Sequence, residues 1–369
     1  MSDRWAPLMR QALTLAERGR YGASPNPMVG AVLLSRSGEV IGAGAHLACG
    51  GPHAEVAALQ AATSPALGGT MVVTLEPCAH QGRTPPCVEA ILAAGVARVV
   101  IGTRDPNPVT AGRGVETLRA AGIEVIEGVE EAACRTANRR FFHWMGTGRP
   151  FVTLKMAMTL DGKLAARGGR SRWITSEASR REGYALREEF DALLVGVNTV
   201  LADDPRLTRH LGLNPNPHIA RAVLDTALRT PPGCTMVGRD AADVTLFCRE
   251  GAAAERRREL ERLGATVVEV GEDEHGRCAL RQVLRWLGSR QVSSVLVEGG
   301  GEVHWSFLRE RLAQRVHAFV APLVLGGREA TPSVGGAGFP SPQEGVRLRF
   351  VEVRRLAEDL VVEAEVEGV

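Results

Sequence analysis

Four residues near the start of the chain have the types and spacing of a metal centre: His53, Glu55, Cys78 and Cys87. A neutral imidazole and two thiolates suit Zn²⁺ and leave its fourth tetrahedral position for water. Water held there loses a proton near neutral pH and can attack an electrophilic carbon. Glu55 stands two residues after His53, in place to move that proton. A closed structural site is the alternative, with His80 or Cys49 as fourth ligand, but it leaves Glu55 beside the metal with no task. Thr84-Pro85-Pro86 ends the loop between the two cysteines and stiffens it by fixing φ.

These side chains must be delivered by regular elements. Residues 5–18 place apolar side chains at helical spacing, and Ser24-Pro25-Asn26-Pro27 breaks the helix. Residues 29–34 and 40–41, joined by Ser37-Gly38, read as a hairpin. Helical spacing resumes over 53–62, putting His53 and Glu55 in a first turn. Residues 71–75 form a buried strand that delivers Glu76-Pro77-Cys78. A helix over 87–94 follows, then strands at 96–101 and 123–126. Strands alternating with helices indicate α/β layers.

The His-x-Glu pair followed by Pro-Cys is similar to the pattern of zinc deaminases, in which a glutamate that is not a ligand shuttles protons. Eight residues, not two, separate the cysteines here. Together with Ser24-Pro25-Asn26-Pro27-Met28-Val29-Gly30, Gly44-Ala45-His46 and Asp105-Pro106-Asn107-Pro108, this half resembles the deaminase half of the bifunctional deaminase–reductase family of riboflavin biosynthesis. The resemblance implies a cytidine-deaminase-like α/β/α sandwich over residues 1–146, acting on a phosphoribosylated pyrimidine. It implies that Asn26, His46, Asp105 and Asn107 line the pyrimidine pocket, with His80, Arg83 and Thr84 near the phosphoribosyl arm. Read without it, Asn26 and Asn107 serve equally well as turn formers and Asp105 as a loop cap.

Residues 138–150 read as a joint between domains. Beyond them, residues 151–156 and 191–197 are strand-like, and a helical stretch holds Arg187. Residues 292–297 form an apolar strand that leads through Glu298 and Gly299-Gly300-Gly301 into helical spacing from Glu302. A strand, a glycine turn and a helix start form a natural phosphate cradle, although triple glycine also makes a tight structural turn. These segments are similar to the reductase half of the same family. That likeness implies a dihydrofolate-reductase-like α/β domain over 147–369 that reduces a ribosyl chain to ribityl with NADPH. By it, Ala157, Trp173, Thr199, Asp203, Thr226, Gly300, Gly301 and Glu302 meet the cofactor, and Ser171, Arg187, Leu207, Arg209 and Glu298 meet substrate. The chain departs from the pattern at three points. Leu207-Thr208-Arg209-His210 carries its arginine one place earlier than the usual Leu-Thr-x-Arg. Tyr184 replaces a histidine, and Gln314-Arg315 replace an acidic pair. On general grounds Trp173 reads as core, Asp203 as a turn former and Lys155 as a strand-edge charge.

Composition bounds the rest. At 369 residues the chain exceeds one ordinary core. A net charge of +2 and an aromatic content of 4% give no footprint for a nucleic-acid polymer. No apolar run approaches the roughly 20 residues that span a bilayer, and no secretory h-region opens the sequence. Seven cysteines, an odd and scattered set, do not form a disulfide framework. The cytoplasm is the expected compartment, and the resemblance implies a homodimer or homotetramer. Residues 249–265 read as a charged solvent-facing helix, 334–342 as a mobile glycine-rich loop, and the last two strands as an edge hairpin. A deaminase of free cytidine or of a tRNA base, and a zinc-stabilised binding module, are the competing readings.

Overall fold

The computed structural model describes residues 4–369 apart from Arg83 and Val109, and it divides into two compact units at Gly148/Arg149. The first unit opens with α1 (Ala6–Ala16), β1 (Gly30–Leu34), β2 (Val40–Ala45), α2 (Ala54–Gln60) and β3 (Thr70–Leu75). It continues with α3 (Cys87–Ala93), β4 (Arg98–Thr103), α4 (Arg113–Ala120), β5 (Glu124–Glu127), α5 (Glu131–Ala137) and α6 (Arg139–Thr147). The joint expected over residues 138–150 is mostly α6, with Gly148 in the left-handed region as its C-cap.

The strand order is β2-β1-β3-β4-β5, with β1 antiparallel to both neighbours and β3, β4 and β5 parallel. Alternate residues face opposite layers, as the pleat requires. Met71, Val73, Val99 and Ile101 join the core shared with Ala54, Ala58, Ile91 and Leu118 of α2, α3 and α4. Val72 and Val100 face Met9, Ala12 and Cys134 of α1 and α5. Burial on both faces explains why these strands read as unbroken apolar runs. This is the expected α/β/α sandwich.

The helix that bears the metal site lies very close to the sheet. A Cβ on Gly42 would stand 2.3 Å from the Ala58 carbonyl oxygen, and one on Gly44 would stand 2.4 Å from the Ala54 carbonyl oxygen. Both glycines are on β2, two residues apart and therefore on one face, and the helix meets them with Ala54 and Ala58.

The second unit begins with β6 (Phe151–Thr159), β7 (Lys163–Ala165), α7 (Glu177–Glu188), β8 (Ala192–Gly196), α8 (Val197–Asp203) and β9 (Ala220–Leu224). It proceeds through α9 (Thr235–Asp240), β10 (Val244–Arg249), α10 (Ala254–Arg262), β11 (Thr266–Val270), α11 (Leu280–Ser289) and β12 (Ser294–Val297). It ends with α12 (Gly301–Arg309), β13 (Arg315–Ala321), β14 (Thr331–Pro332), β15 (Leu348–Leu356) and β16 (Asp359–Val366). Nine strands order as β11-β10-β9-β8-β12-β6-β13-β16-β15, parallel from β11 to β13, with the final hairpin antiparallel at the edge.

Three expectations change. The charged helix spans only Ala254–Arg262, because Arg249 ends β10 and Gly251 turns the chain in the left-handed region. Lys155 is no edge residue, since β6 lies between β12 and β13. The glycine-rich stretch is anchored at several points: Gly335 N–H donates to the Gly301 carbonyl (2.9 Å), Gly336 N–H to Glu302 Oε1 (2.9 Å), and Phe339 meets Trp305 edge to face at 4.8 Å.

Gly44→Ala is expected to force α2 off the sheet. It should lower the stability of this unit by about 1–3 kcal/mol and reduce its zinc content, read by thermal unfolding and metal analysis of the purified protein. An unchanged melt with full zinc would show that the seam yields.

Candidate functional site

The metal-site residues lie at element ends. His53 is the N-cap residue of α2, Glu55 lies in its first turn, Cys78 follows β3, and Cys87 opens α3. Irregular backbone at these ends lets residues distant in sequence converge. His53 Nδ1 is 3.1 Å from Cys87 Sγ and 3.5 Å from Cys78 Sγ, and the three ligand atoms fall within 4.8 Å of one another. Tetrahedral zinc with ordinary bond lengths needs nitrogen–sulfur separations of about 3.6 Å. The donor set therefore fits zinc with little adjustment. The other imidazole nitrogen, Nε2, is 3.2 Å from Thr84 Oγ1, and the Cys87 N–H donates to Cys78 Sγ at 3.3 Å. Such partners fix the ring and the sulfur before any cation arrives.

Charge is arranged to match. A hydrogen bond from Cys87, aided by His53, brings the Cys78 thiol down to about 4, while the same contact and burial push Cys87 up. Hydrogen bonding to Cys78 raises His53. Glu55 is 3% exposed, and burial lifts its carboxyl to about 7. That range suits a group that takes and returns a proton at neutral pH.

The polar residues expected around the ring are held just as firmly. His46 is buried, its Nδ1 lies 3.0 Å from the Pro52 carbonyl oxygen, and its Nε2 lies 3.1 Å from Asn26 Nδ2. Burial lowers its pKa. The neutral ring therefore donates from Nδ1 to Pro52 and accepts the Asn26 amide N–H at Nε2. Asp105 accepts the Asn107 N–H at 2.9 Å, and burial raises its carboxyl to about 6. His80 Nδ1 is 3.2 Å from Thr110 Oγ1. Thr84 meets the zinc-side imidazole, a contact the sequence does not reveal, and Arg83 lies outside the described residues.

In the second unit, Ala157 sits near the end of β6. Thr199 and Asp203 are in α8 just past β8, and Thr226 lies two residues beyond β9. Glu298 follows β12, and Gly300 is the N-cap of α12, which Gly301 and Glu302 begin. Because these strands are parallel, their carboxyl ends lie along one edge of the sheet, the usual side for a ligand in such sheets. A Cβ on Gly300 would meet nothing within 4 Å, which leaves room beside the N-cap of α12, whereas at Gly301 a Cβ would stand 2.4 Å from the Pro332 carbonyl oxygen. The residues fit a dinucleotide. Trp173 is 66% exposed rather than core, with the Arg180 guanidinium 4.5 Å above its ring. Ser171, near it in sequence, is partly exposed.

The substrate residues form a charged cluster. Arg187 is bidentate on Glu298 (2.6 and 3.0 Å), and Lys155 Nζ stands 3.4 Å from the same carboxylate. Burial pulls the Glu298 carboxyl up, but Arg187 and Lys155 outweigh it and hold the group at about 2. A lysine two residues before Ala157, in an otherwise apolar run, was the signal for this cluster. Arg209 is occupied differently: its guanidinium donates to the carbonyls of Phe190 (2.6 Å), Asn216 (2.8 Å) and His218. Beside it, Leu207 is buried, and the exposed His210 packs edge to face on Tyr184 at 5.0 Å. Two departures from the family pattern thus touch each other. The third is structural: Gln314 Oε1 accepts the Val152 N–H at 2.8 Å, and Arg315 pairs with Glu363.

Comparison with known proteins covers the whole chain. A family model described as the RibD C-terminal domain matches residues 150–362, and one described as the cytidine and deoxycytidylate deaminase zinc-binding region matches 4–103. The chain is 42% identical over 356 residues to the riboflavin biosynthesis protein RibD of Aquifex aeolicus, covering 96% of each. Acinetobacter baumannii RibD superposes with a TM-score of 0.89 at 35% identity over 100% of both chains. A Thermotoga maritima structure described as a diaminohydroxyphosphoribosylaminopyrimidine deaminase/5-amino-6-(5-phosphoribosylamino)uracil reductase gives 0.82 at 35% identity, covering 99% of each.

Glu298→Gln removes the charge that Arg187 and Lys155 face and is expected to cost about 3–5 kcal/mol in the second unit at neutral pH. Because the native carboxyl lies below its ordinary 4.5, the stabilisation is full above 4.5 and is lost as pH falls through about 2. Urea unfolding of wild type and variant across this range should therefore converge in acid. Parallel curves would contradict the assignment.

Proposed function

The chain belongs to the RibD family of riboflavin biosynthesis proteins, and on that footing we propose how its own residues divide the family's two reactions. The N-terminal unit hydrolytically deaminates 2,5-diamino-6-(5-phosphoribosylamino)pyrimidin-4-one, and the C-terminal unit then reduces the ribosyl chain to ribityl phosphate with NADPH. The observation that carries the first half is the convergence of His53, Cys78 and Cys87 beside a buried Glu55.

Zinc, when bound by those three side chains, supplies an acidified water as nucleophile. Glu55 accepts the proton of that water and passes it to the departing amine, so a C–O bond replaces a C–N bond and ammonia leaves. Asn26 has its amide nitrogen committed to His46, which leaves the carbonyl oxygen as the end that accepts from a ring amine. Asp105 and Asn107 bind the pyrimidine ring, and His80, Arg83 and Thr84 are the residues assigned to the phosphoribosyl arm by the family's pattern. In the second unit the start of α12 receives the cofactor pyrophosphate at Gly300–Glu302, and Ala157, Trp173, Thr199, Asp203 and Thr226 flank the dinucleotide. NADPH supplies the hydride for the sugar carbon. Ser171, Leu207, Arg209 and the Arg187–Glu298 pair position the substrate, with Lys155 adding a cation to that cluster.

Among the described residues no helix is long and apolar enough to cross a membrane. The seven cysteines, an odd and scattered set, support a cytoplasmic setting. A homodimer or homotetramer is supported by the edge strand β15, where Phe350 (67%), Val351 (45%) and Val353 (56%) are exposed in a row.

The test is to mix the purified protein with the diaminopyrimidine phosphate. Ammonia should appear without NADPH, and NADPH consumption should follow its release. Glu55→Gln should keep its zinc yet lose about 10²–10⁴-fold in ammonia release, whereas a zinc-stabilised binding module would show no activity to lose. For the assembly, light scattering should give a multiple of 39.4 kDa, and Phe350→Asp should shift it toward the single chain. A monomeric wild type would end that part of the proposal.

A further inference from the structure

Glu76 has no part in the mechanism above, yet it is 3% exposed and sits two residues before a zinc ligand. No cation is paired with it among the described residues; its partners are backbone amides. Oε2 accepts the N–H of Asp105 (3.2 Å) and of Gly112 (3.1 Å), and Oε1 accepts the N–H of Val115 (3.2 Å). Its own N–H donates to the Thr103 carbonyl at 3.0 Å. The carboxylate thus faces the first turn of α4 and the start of the loop that carries Asp105 and Asn107. Thr110, on the same loop, meets His80 of the metal loop. Gly114 makes the approach possible, because a Cβ there would stand 2.1 Å from the Pro77 carbonyl oxygen.

The geometry points to Glu76 as a positioning residue for deamination, one that fixes Asp105 and Asn107, and hence the pyrimidine ring, relative to the metal ligands. The inference rests on the deaminase reading. A side chain anchored on the strand that delivers Cys78 sets the distance between ring-binding loop and metal through three hydrogen bonds, each to a group that cannot rotate away. Replacing one oxygen by an amide turns a donor against N–H donors and lets the loop drift, which costs alignment more than it costs fold.

Glu76→Gln is the test, measured in the full chain with zinc content, deamination kinetics and reduction of separately supplied deaminated substrate. kcat for deamination should fall about tenfold to a hundredfold with KM little changed, zinc at one per chain and reduction unaltered. Combined with Asp105→Asn, the effects should fall well short of multiplying, since Glu76 acts through the placement of the Asp105 side chain. A rise in KM at constant kcat, loss of zinc, or multiplicative effects would each overturn the inference. Should Glu76→Gln not fold, Glu76→Asp, which keeps the charge but shortens its reach to the loop amides, is held to the same criteria. A wild type that releases no ammonia refutes the deaminase reading itself, and an active wild type with an unmoved variant refutes only the role of Glu76.

Discussion

Buried carboxylates that accept loop amides hold both units in working order. Glu188, fully buried at the end of α7, accepts the N–H groups of His210, Leu211 and Asn214. Asp225 takes those of Arg229 and Thr230, and Asp359 takes the Ser176 N–H and the Ser179 hydroxyl. Glu76 does the same beside the metal loop. An ionised group away from water is tolerable only when its lone pairs are filled. Backbone donors fill them while converting a loop into a part of fixed shape. Asp105 and Asn107 sit on a loop held by Glu76, so the shape of that loop comes from this anchor as much as from the sheet beneath it.

The two sites use opposite electrostatic strategies. At the metal centre one thiol is brought down and the imidazole is brought up, while a neighbouring carboxyl is lifted by burial. One thiolate is thus ready to act as a ligand, and the carboxyl titrates where a proton can come and go. In the reductase unit a carboxylate is pinned in its charged form between an arginine and a lysine. The Arg187–Glu298–Lys155 cluster is a fixed charged template. This contrast agrees with hydrolysis in one unit and with a reaction in the other whose reactive atom comes from a cofactor.

Much of this was legible in the sequence, for identifiable reasons. His53, Glu55, Cys78 and Cys87 stood out because ligand chemistry restricts residue type and because each adjoins a clear strand or helix. The sandwich was legible because buried parallel strands read as apolar runs. Partnerships between distant polar groups were not legible. Nothing in the pattern around Arg209 shows that its guanidinium is committed to three carbonyls, or that Glu302 spends its oxygens on Gly336 and Arg277. The glycine-rich stretch was read as loose because composition records freedom in the unfolded chain and not the anchors at Gly335 and Phe339. Trp173 departs from the expectation that tryptophan is core because its exposed ring rests against the Arg180 guanidinium.

The contact between β2 and the metal-bearing helix also bears on how the protein could be redesigned. With main-chain oxygens standing where the first carbon of a side chain at Gly42 or Gly44 would go, that seam leaves no room for a larger residue unless the helix shifts, and Glu55 rides on it. Efforts to retarget the first reaction to another heterocycle therefore have one avenue, the peripheral segments around Asn26 and Asn107, while the bearing between helix and sheet must be inherited whole.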